Sequence, residues 1–526
     1  MFCAIAPRRA SFAALRMALG GLARARRVLL LRRVSRALLP LPLLLLPALS
    51  APASAQVPRV AEELVPESRA PRLGRAILEA TGALLIGTGW YWANTKLNSE
   101  DWELHWDMPS WRTKLSSDGM SFDTNAFDVN AVKHPFGTVF VYQAGRANGY
   151  GAVGSSVITL ASSVVWEYVV EFKEVVSAND LIVNVASGLG LAEPLFQVGQ
   201  YLRHGRATPA RRVLGAIFSP FDGLHDWLDE RPRLLGAPAW HRFRISAGRS
   251  VARFGDLERR ELDLGLDLAL ARAGYVGRAV DHQGRTRAGA STRLIGRLSL
   301  GDAGSGTAFL GTRLRTQTSL IGYQVQRFSS PIQGWAEHVA IGAAFEYDTR
   351  RLPEAWDQVA AMHFVGPQLE LTGYASAWTV RAELAAYADF TMMQAHVFDP
   401  FVPLETMPPY TSTLRSRGYY FGLGGTAIAR VRAERPGWDV ELEARELRAW
   451  SIDGFDRGER TAGAPPTPTG LTDQRRSASA TIGLRPFDGV LGVTATVEGL
   501  VRRGTYRDEV RRTTELTAMF GLVLAL

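Results

Sequence analysis

Two periodicities divide the chain. From about residue 240 to the last residue, apolar positions recur at every second place, the spacing that sends side chains to alternate faces of a strand. Leu262, Leu264, Leu266, Leu268 and Leu270 alternate with Glu261, Asp263, Gly265, Asp267 and Ala269. Val339, Ile341, Ala343, Phe345 and Tyr347 alternate with His338, Ala340, Gly342, Ala344 and Glu346. Trp438, Val440, Leu442 and Ala444 alternate with Asp439, Glu441, Glu443 and Arg445, and the last stretch places Leu516, Ala518, Phe520, Leu522, Leu524 and Leu526 on one face. Between about 73 and 235 the apolar residues come instead in helix-length blocks, at 74–97, 151–172 and 180–203. These blocks are apolar nearly all round but each contains Ser or Thr and a glutamate, Glu79, Glu167 and Glu193 among them. They predict buried helices packed on one another or inside something, and they are marginal as membrane spans, since a central acid opposes insertion by about 2.5–3.5 kcal/mol.

Strand segments of about ten residues, joined by turns and alternating apolar with polar, are the signature of a transmembrane β-barrel. A soluble periplasmic β-sandwich that binds a ligand alternates too. Three features favour the barrel: the polar face is dense in charge, aromatics such as Trp240, Trp335, Tyr419, Trp438 and Trp450 sit near strand ends, and the connections alternate in length. Gly373–Ser376 and 435–437 are tight, whereas 392–416 and 452–474 are long and rich in Pro, Gly and Thr. The expected fold class is α+β: an N-terminal helical domain (73–235) followed by an antiparallel transmembrane β-barrel of about 12 strands (240–526). The helical domain is expected to plug the barrel or to sit beneath it in the periplasm.

Charge sharpens the location. The chain has 60 basic and 51 acidic residues, a net charge of +9 that would suit a nucleic-acid partner. Nine arginines and no acid fall in residues 1–55, however, so the remainder balances 51 basic against 51 acidic residues and nucleic acid is excluded as a partner. That first segment has a basic region, an apolar run over 37–49 and an Ala53-Ser54-Ala55 site, the layout of a signal peptide cleaved near Ala55, with Met1 or Met17 as the start. A polar, proline-bearing linker comes next at 56–72. The single cysteine, Cys3, lies in the export segment, so no disulfide, thiol nucleophile or cysteine-ligated zinc is expected beyond it. An exported barrel belongs in the outer membrane, with membrane lipid and the barrel-assembly machinery as partners.

Candidate chemistry clusters between 122 and 193. A polar–aromatic loop, 122–130, precedes His134-Pro135-Phe136-Gly137; Gly145-Arg146-Ala147-Asn148-Gly149-Tyr150, Trp166-Glu167-Tyr168 and Ser177-Ala178-Asn179-Asp180-Leu181 come after it. In this order the four elements, within about residues 90–200, resemble an uncharacterised bacterial envelope family, domain-of-unknown-function family 3943. The resemblance implies an envelope protein and no particular activity. The order His, Glu, Asp on short buried helices is also similar to that in VanZ-like membrane proteins. His134, Glu167 and Asp180 are the candidate catalytic residues, because a His–carboxylate pair runs general acid/base chemistry. Arg146, Asn148, Tyr150 and Asn179 are candidate ligand-binding residues, Arg146 as a bidentate clamp for carboxylate or phosphate. The same groups have structural uses: a turn at Asn148-Gly149, caps from Asn179 and Asp180, and an ion pair of Glu167 with Arg146. No spacing predicts a metal, and Gly188-Leu189-Gly190 is no dinucleotide fingerprint, so no cofactor is expected. The functions this leaves are a plugged or gated barrel in envelope integrity or transport, and an enzyme using His134 and Glu167 on an envelope lipid or glycan.

Overall fold

The structure, a computed structural model, describes residues 70–94, 104, 107–116, 119–203, 208–229, 240–271, 279–302, 307–353, 355–398, 412–455, 457, 470–485 and 490–525. The expected export segment and most of the expected linker lie outside the described residues. The alternating half forms a closed antiparallel barrel of twelve strands: β1 (Trp240–Phe254), β2 (Leu257–Ala271), β3 (His282–Thr286 and Ser291–Asp302, one strand interrupted at 287–290), β4 (Thr307–Ser330), β5 (Gln333–Arg351), β6 (Trp356–Ala375), β7 (Trp378–Gln394), β8 (Tyr419–Arg435), β9 (Trp438–Ser451), β10 (Thr472–Leu484), β11 (Leu491–Tyr506) and β12 (Glu509–Ala525). Pairing of β12 back onto β1, from Glu515 with Phe254 to Ala525 with Arg244, closes the ring and leaves no edge strand. The start of β1, the end of β12 and the tight turns at 330–333, 375–378 and 435–438 share one end, here the terminal end. The long connections 394–419 and 451–472 lie at the other, the loop end.

Which face is inside is decided by ion pairs that skip strands. Arg242 on β1 reaches Glu441 on β9, four strands round the ring. Arg313 on β4 donates to both oxygens of Glu498 on β11 at 2.8 and 2.9 Å. Arg350 on β5 meets Glu515 on β12 at 2.7 Å, and Arg475 on β10 meets Asp357 on β6 at 2.6 Å. Only a path through the lumen joins such partners, so the charged face points inward. At the loop end, Leu414 of the short helix Ser412–Arg417 packs with Val397, Met393, Tyr420, Leu447 and Tyr506 and caps the lumen. The opposite face is apolar: Leu516, Phe520 and Leu522 on β12 and Leu262 and Leu264 on β2 are exposed, as a lipid-facing belt requires.

The helical half consists of α1 (Leu73–Asn94), α2 (Met108–Lys114), α3 (His134–Ala147), α4 (Ala152–Val165), α5 (Ala178–Ser187), α6 (Glu193–Arg203), α7 (Pro209–Phe218) and α8 (Pro220–Leu228). Single π-helical turns extend α4 through Val170 and splice α5 to α6, so Ala152–Val170 and Ala178–Arg203 are continuous rods of 19 and 26 residues. Both are long and apolar enough to cross a membrane, and the 22-residue α1 is about 33 Å long, close to the ~30 Å hydrocarbon thickness.

The Ala178–Arg203 rod and α3 lie against the outside of the barrel wall, and α1 and α4 pack on those helices. Phe122, Phe127, Val139, Tyr142, Val183 and Leu191 pack on Phe345, Met362, Phe390, Met392, Tyr419 and Phe421, which alternate with the lumenal residues of β5 to β8 and point outward. Nearer the terminal end, Val198, Tyr201 and Leu202 of α6 pack on Phe243, Leu268, Leu270 and Leu294, again outward-facing. Contact is close enough that the Thr316 hydroxyl donates to the Gly190 carbonyl at 2.5 Å, and a Cβ at Gly190 would stand 2.3 Å from the Ala344 carbonyl oxygen. The expectation of a plug or a periplasmic domain is therefore corrected: the lumen is already filled with paired charge, and helices apolar on all sides need no aqueous face. On α4 the burial is the reverse of a soluble helix. Ser155, Thr159, Ser162 and Ser163 face inward, while Val153 and Val157 are 78% and 61% exposed. Small and hydroxylated residues at the helix–helix contact with aliphatics outside are what lipid solvation selects. Inside, Asn184 donates to Ser163 and Thr138 donates to Asn184, both at 2.8 Å.

This placement makes two outcomes measurable. Val157→Arg, harmless on an aqueous surface, is expected to destabilise the helical domain by about 2.5–3.5 kcal/mol in bilayers, read from thermal unfolding of the reconstituted protein. Gly190→Leu is expected to push the α5–α6 rod off the wall, so that protease cleaves the helical domain while the barrel stays folded and heat-modifiable on gels.

Candidate functional site

Ionisable groups gather at the two ends of the helical domain, and the middle holds uncharged polar groups such as Thr138, Asn184 and Ser163. At the loop end, a two-residue parallel strand pair, Met120–Ser121 with Val176–Ser177, acts as a clasp: it sets the 122–125 loop beside the start of α5. Asp123 N–H donates to Asn179 Oδ1 at 3.0 Å, and Asn179 Nδ2 donates to Asp180 Oδ1 at 2.9 Å. The other Asp180 oxygen lies 3.5 Å from His134 Nε2. The Asp123 carboxylate accepts from Asn130 Nδ2 at 2.5 Å and Asn125 Nδ2 at 2.7 Å. One donor atom each from Asp123, His134 and Asp180 lie within 4.8 Å of one another. Asp123, Asn130, Asn179 and Asp180 are buried, whereas the His134 side chain is 17% exposed and forms the open edge.

Glu167 is fully buried beside them. Its Oε2 accepts the Ser177 N–H at 2.8 Å, and its Oε1 has no hydrogen-bond partner. Below it Glu171 accepts from Trp166 Nε1 at 2.8 Å, and Lys114 Nζ donates to the carbonyls of Glu171 and Glu174. Burial first, and the neighbouring Glu174 next, push the Glu171 carboxyl up to about 8. Two of the three π-helical turns among the described residues serve this end: Val129–Lys133 carries Asn130 and delivers His134, and Trp166–Val170 carries Glu167. A π turn inserts an extra residue into a helix and re-aims the side chains beyond it, a device frequent at functional sites.

The expected set is thus split. His134, Asp180 and Asn179 come together, and Glu167 adjoins them without touching His134 through a hydrogen bond. Arg146, Asn148 and Tyr150 lie at the terminal end, with Arg146 twelve residues and about 18 Å along α3 from His134. Arg146 pairs with Glu193 at 2.8 Å rather than with Glu167, stacks over Phe196 and donates to the Tyr150 carbonyl. Asn148 donates to Glu79, which also meets His225 at 2.5 Å and Arg75 at 2.9 Å. These are ties between α1, α3, α6 and α8, not an anion clamp facing His134. Asp123 and Asn130 were missed by sequence reasoning. Both lie in the polar stretch 122–130, whose Asp and Asn residues suit turns equally well.

Residues 119–221 match the model of a family described as a domain of unknown function, DUF3943, so the domain precedes the barrel and spans both polar ends. No curated protein matches the chain. Among solved structures the chain is similar to the translocator domain of the autotransporter NalP from Neisseria meningitidis, at 10% identity, covering 60% of this chain and 96% of that one with a TM-score of 0.20. It is also similar to the outer membrane protein OprD from Pseudomonas aeruginosa, at 10% identity, covering 54% and 94% with a TM-score of 0.18.

The raised Glu171 carboxyl has a pH signature. A carboxyl whose folded value lies above its ordinary 4.5 lends stability that is complete below 4.5 and is lost as pH rises to about 8. Tryptophan-monitored melting of the helical domain is expected to fall over that window and level off above it, and Glu171→Gln is expected to flatten that part of the profile.

Proposed function

We propose that this protein resides in the outer membrane as a closed barrel that scaffolds a lipid-embedded helical domain, and that its activity is exercised by the polar cluster at the loop end of that domain, on an envelope lipid. The observation that carries this reading is the occupied lumen. Arg242, Arg293, Arg313, Arg475 and Arg502 bridge to carboxylates across it, and the packing of Leu414 with Val397 and Tyr506 caps one end. Such a barrel is a poor conduit, which disfavours transport through the lumen. It is a rigid, apolar-walled support, assembled like other barrels by the barrel-assembly machinery. The cluster opens at His134, and the next turns of α3 expose Phe136 and Phe140. A substrate with an apolar chain and a polar head has matching surfaces there. The convergence of His134 and Asp180 at this open edge supports the enzymatic form of this reading.

Reconstitution into planar bilayers tests the scaffold role. The wild-type protein is expected to give no steady conductance, and ohmic channels in the wild type would overturn the reading. Arg502→Met, which removes bonds to Asp357 and Glu515 and leaves both carboxylates buried, is expected to cost about 3–5 kcal/mol of barrel stability, measured by the midpoint of heat modification.

A further inference from the structure

We propose that the loop-end cluster is a divalent transition-metal site, with Asp123, His134 and Asp180 as protein ligands and a cation of the Zn2+/Mn2+ class as the ion. Its three donor atoms come from three separate elements: the loop after the clasp, the first residue of α3 and the first turn of α5. A His134–Asp180 hydrogen bond alone would account for two of them, but not for a second buried carboxylate turned to the same point. Two carboxylates converging away from water repel unless a proton or cation lies between them.

The surroundings are built as metal sites are built. Each ligating carboxylate is held by side-chain amides, Asp123 by Asn125 and Asn130 and Asp180 by Asn179, and Asn179 also binds the Asp123 N–H. Such outer partners fix ligand direction and leave the remaining lone pairs for the ion. Glu167 provides the independent sign. It is 0% exposed, its Oε1 has no hydrogen-bond partner, and it lies within charge–charge range of both Asp123 and Asp180. An oxygen so placed is satisfied by a metal-bound water, which donates to it while the ion balances the carboxylates. One imidazole with two carboxylates suits Zn2+ or Mn2+ better than the all-oxygen ligand sets of Mg2+ or Ca2+. Three protein ligands leave coordination positions open on the His134 side. Sequence spacing gave no hint of this, because the ligands lie 11 and 46 residues apart and only the clasp brings them together.

This inference deepens the proposed reading, since it assigns His134 and Asp180 of the same cluster as ligands, and metal content is measured independently of conductance. Full-length protein in detergent micelles, stripped with EDTA and then titrated separately with Zn2+, Mn2+ and Mg2+, is expected to retain about one equivalent of Zn2+ or Mn2+ per chain by elemental analysis and to discriminate against Mg2+. His134→Gln, at the partly exposed edge, and Asp180→Asn are each expected to abolish retention, and Asn130→Ala to weaken it about tenfold through loss of ligand orientation. The heat-modifiable band and helical circular dichroism report folding for every variant. A wild type that retains no metal, binding unchanged in folded His134→Gln protein, or Mg2+ bound as tightly as Zn2+ and Mn2+ would each overturn the proposal.

Discussion

The lumen of this barrel is full, and the rest of the molecule is arranged around that constraint. Arginines and carboxylates from strands four and five places apart meet through the interior, and Arg502, bound to both Asp357 and Glu515, is among the most deeply buried side chains. Buried ions are tolerable only when paired, and pairs that cross the lumen leave no path for a helical plug. The helical domain is laid on the outer wall, and α4 packs on α3 and α5 with its hydroxyls turned toward them and its valines outward.

The barrel was largely legible in the sequence, because alternation is written residue by residue. The face of Leu516 to Leu524 and the opposing face of Glu441, Glu443 and Arg445 lie where period two puts them. The location of the helices was not legible. Phe345, Met362 and Phe421 present the same apolar side chains whether lipid or helix covers them, so the wall that binds the domain reads like the wall that faces the membrane. Apolar blocks with interior Ser and Thr likewise fit a plug as well as a lipid-solvated bundle until the lumen is seen to be occupied.

The site was half legible for a related reason. His134, Asp180 and Asn179 stand in motifs conspicuous enough to be singled out, but a motif has no direction. Arg146 shares α3 with His134 yet points its charge at Glu193, at the other end of that helix. The two charged ends are joined by the helices that run between them, whose middle carries uncharged polar groups such as Thr138 and Asn184. Asp123 is placed by the two-residue parallel pair, an element too short to carry a sequence pattern, and Glu167 by a π turn, which no periodicity announces.

Spin labels on α4 test the central claim most directly. The chain carries one cysteine, Cys3, so with Cys3 replaced a label introduced through Leu160→Cys reports a single place on the outer face of that helix. In reconstituted bilayers, lipid contact predicts that oxygen relaxes the label far more than a water-soluble nickel chelate does. Relaxation dominated by the nickel chelate would put α4 in water and contradict a helical domain embedded beside the barrel.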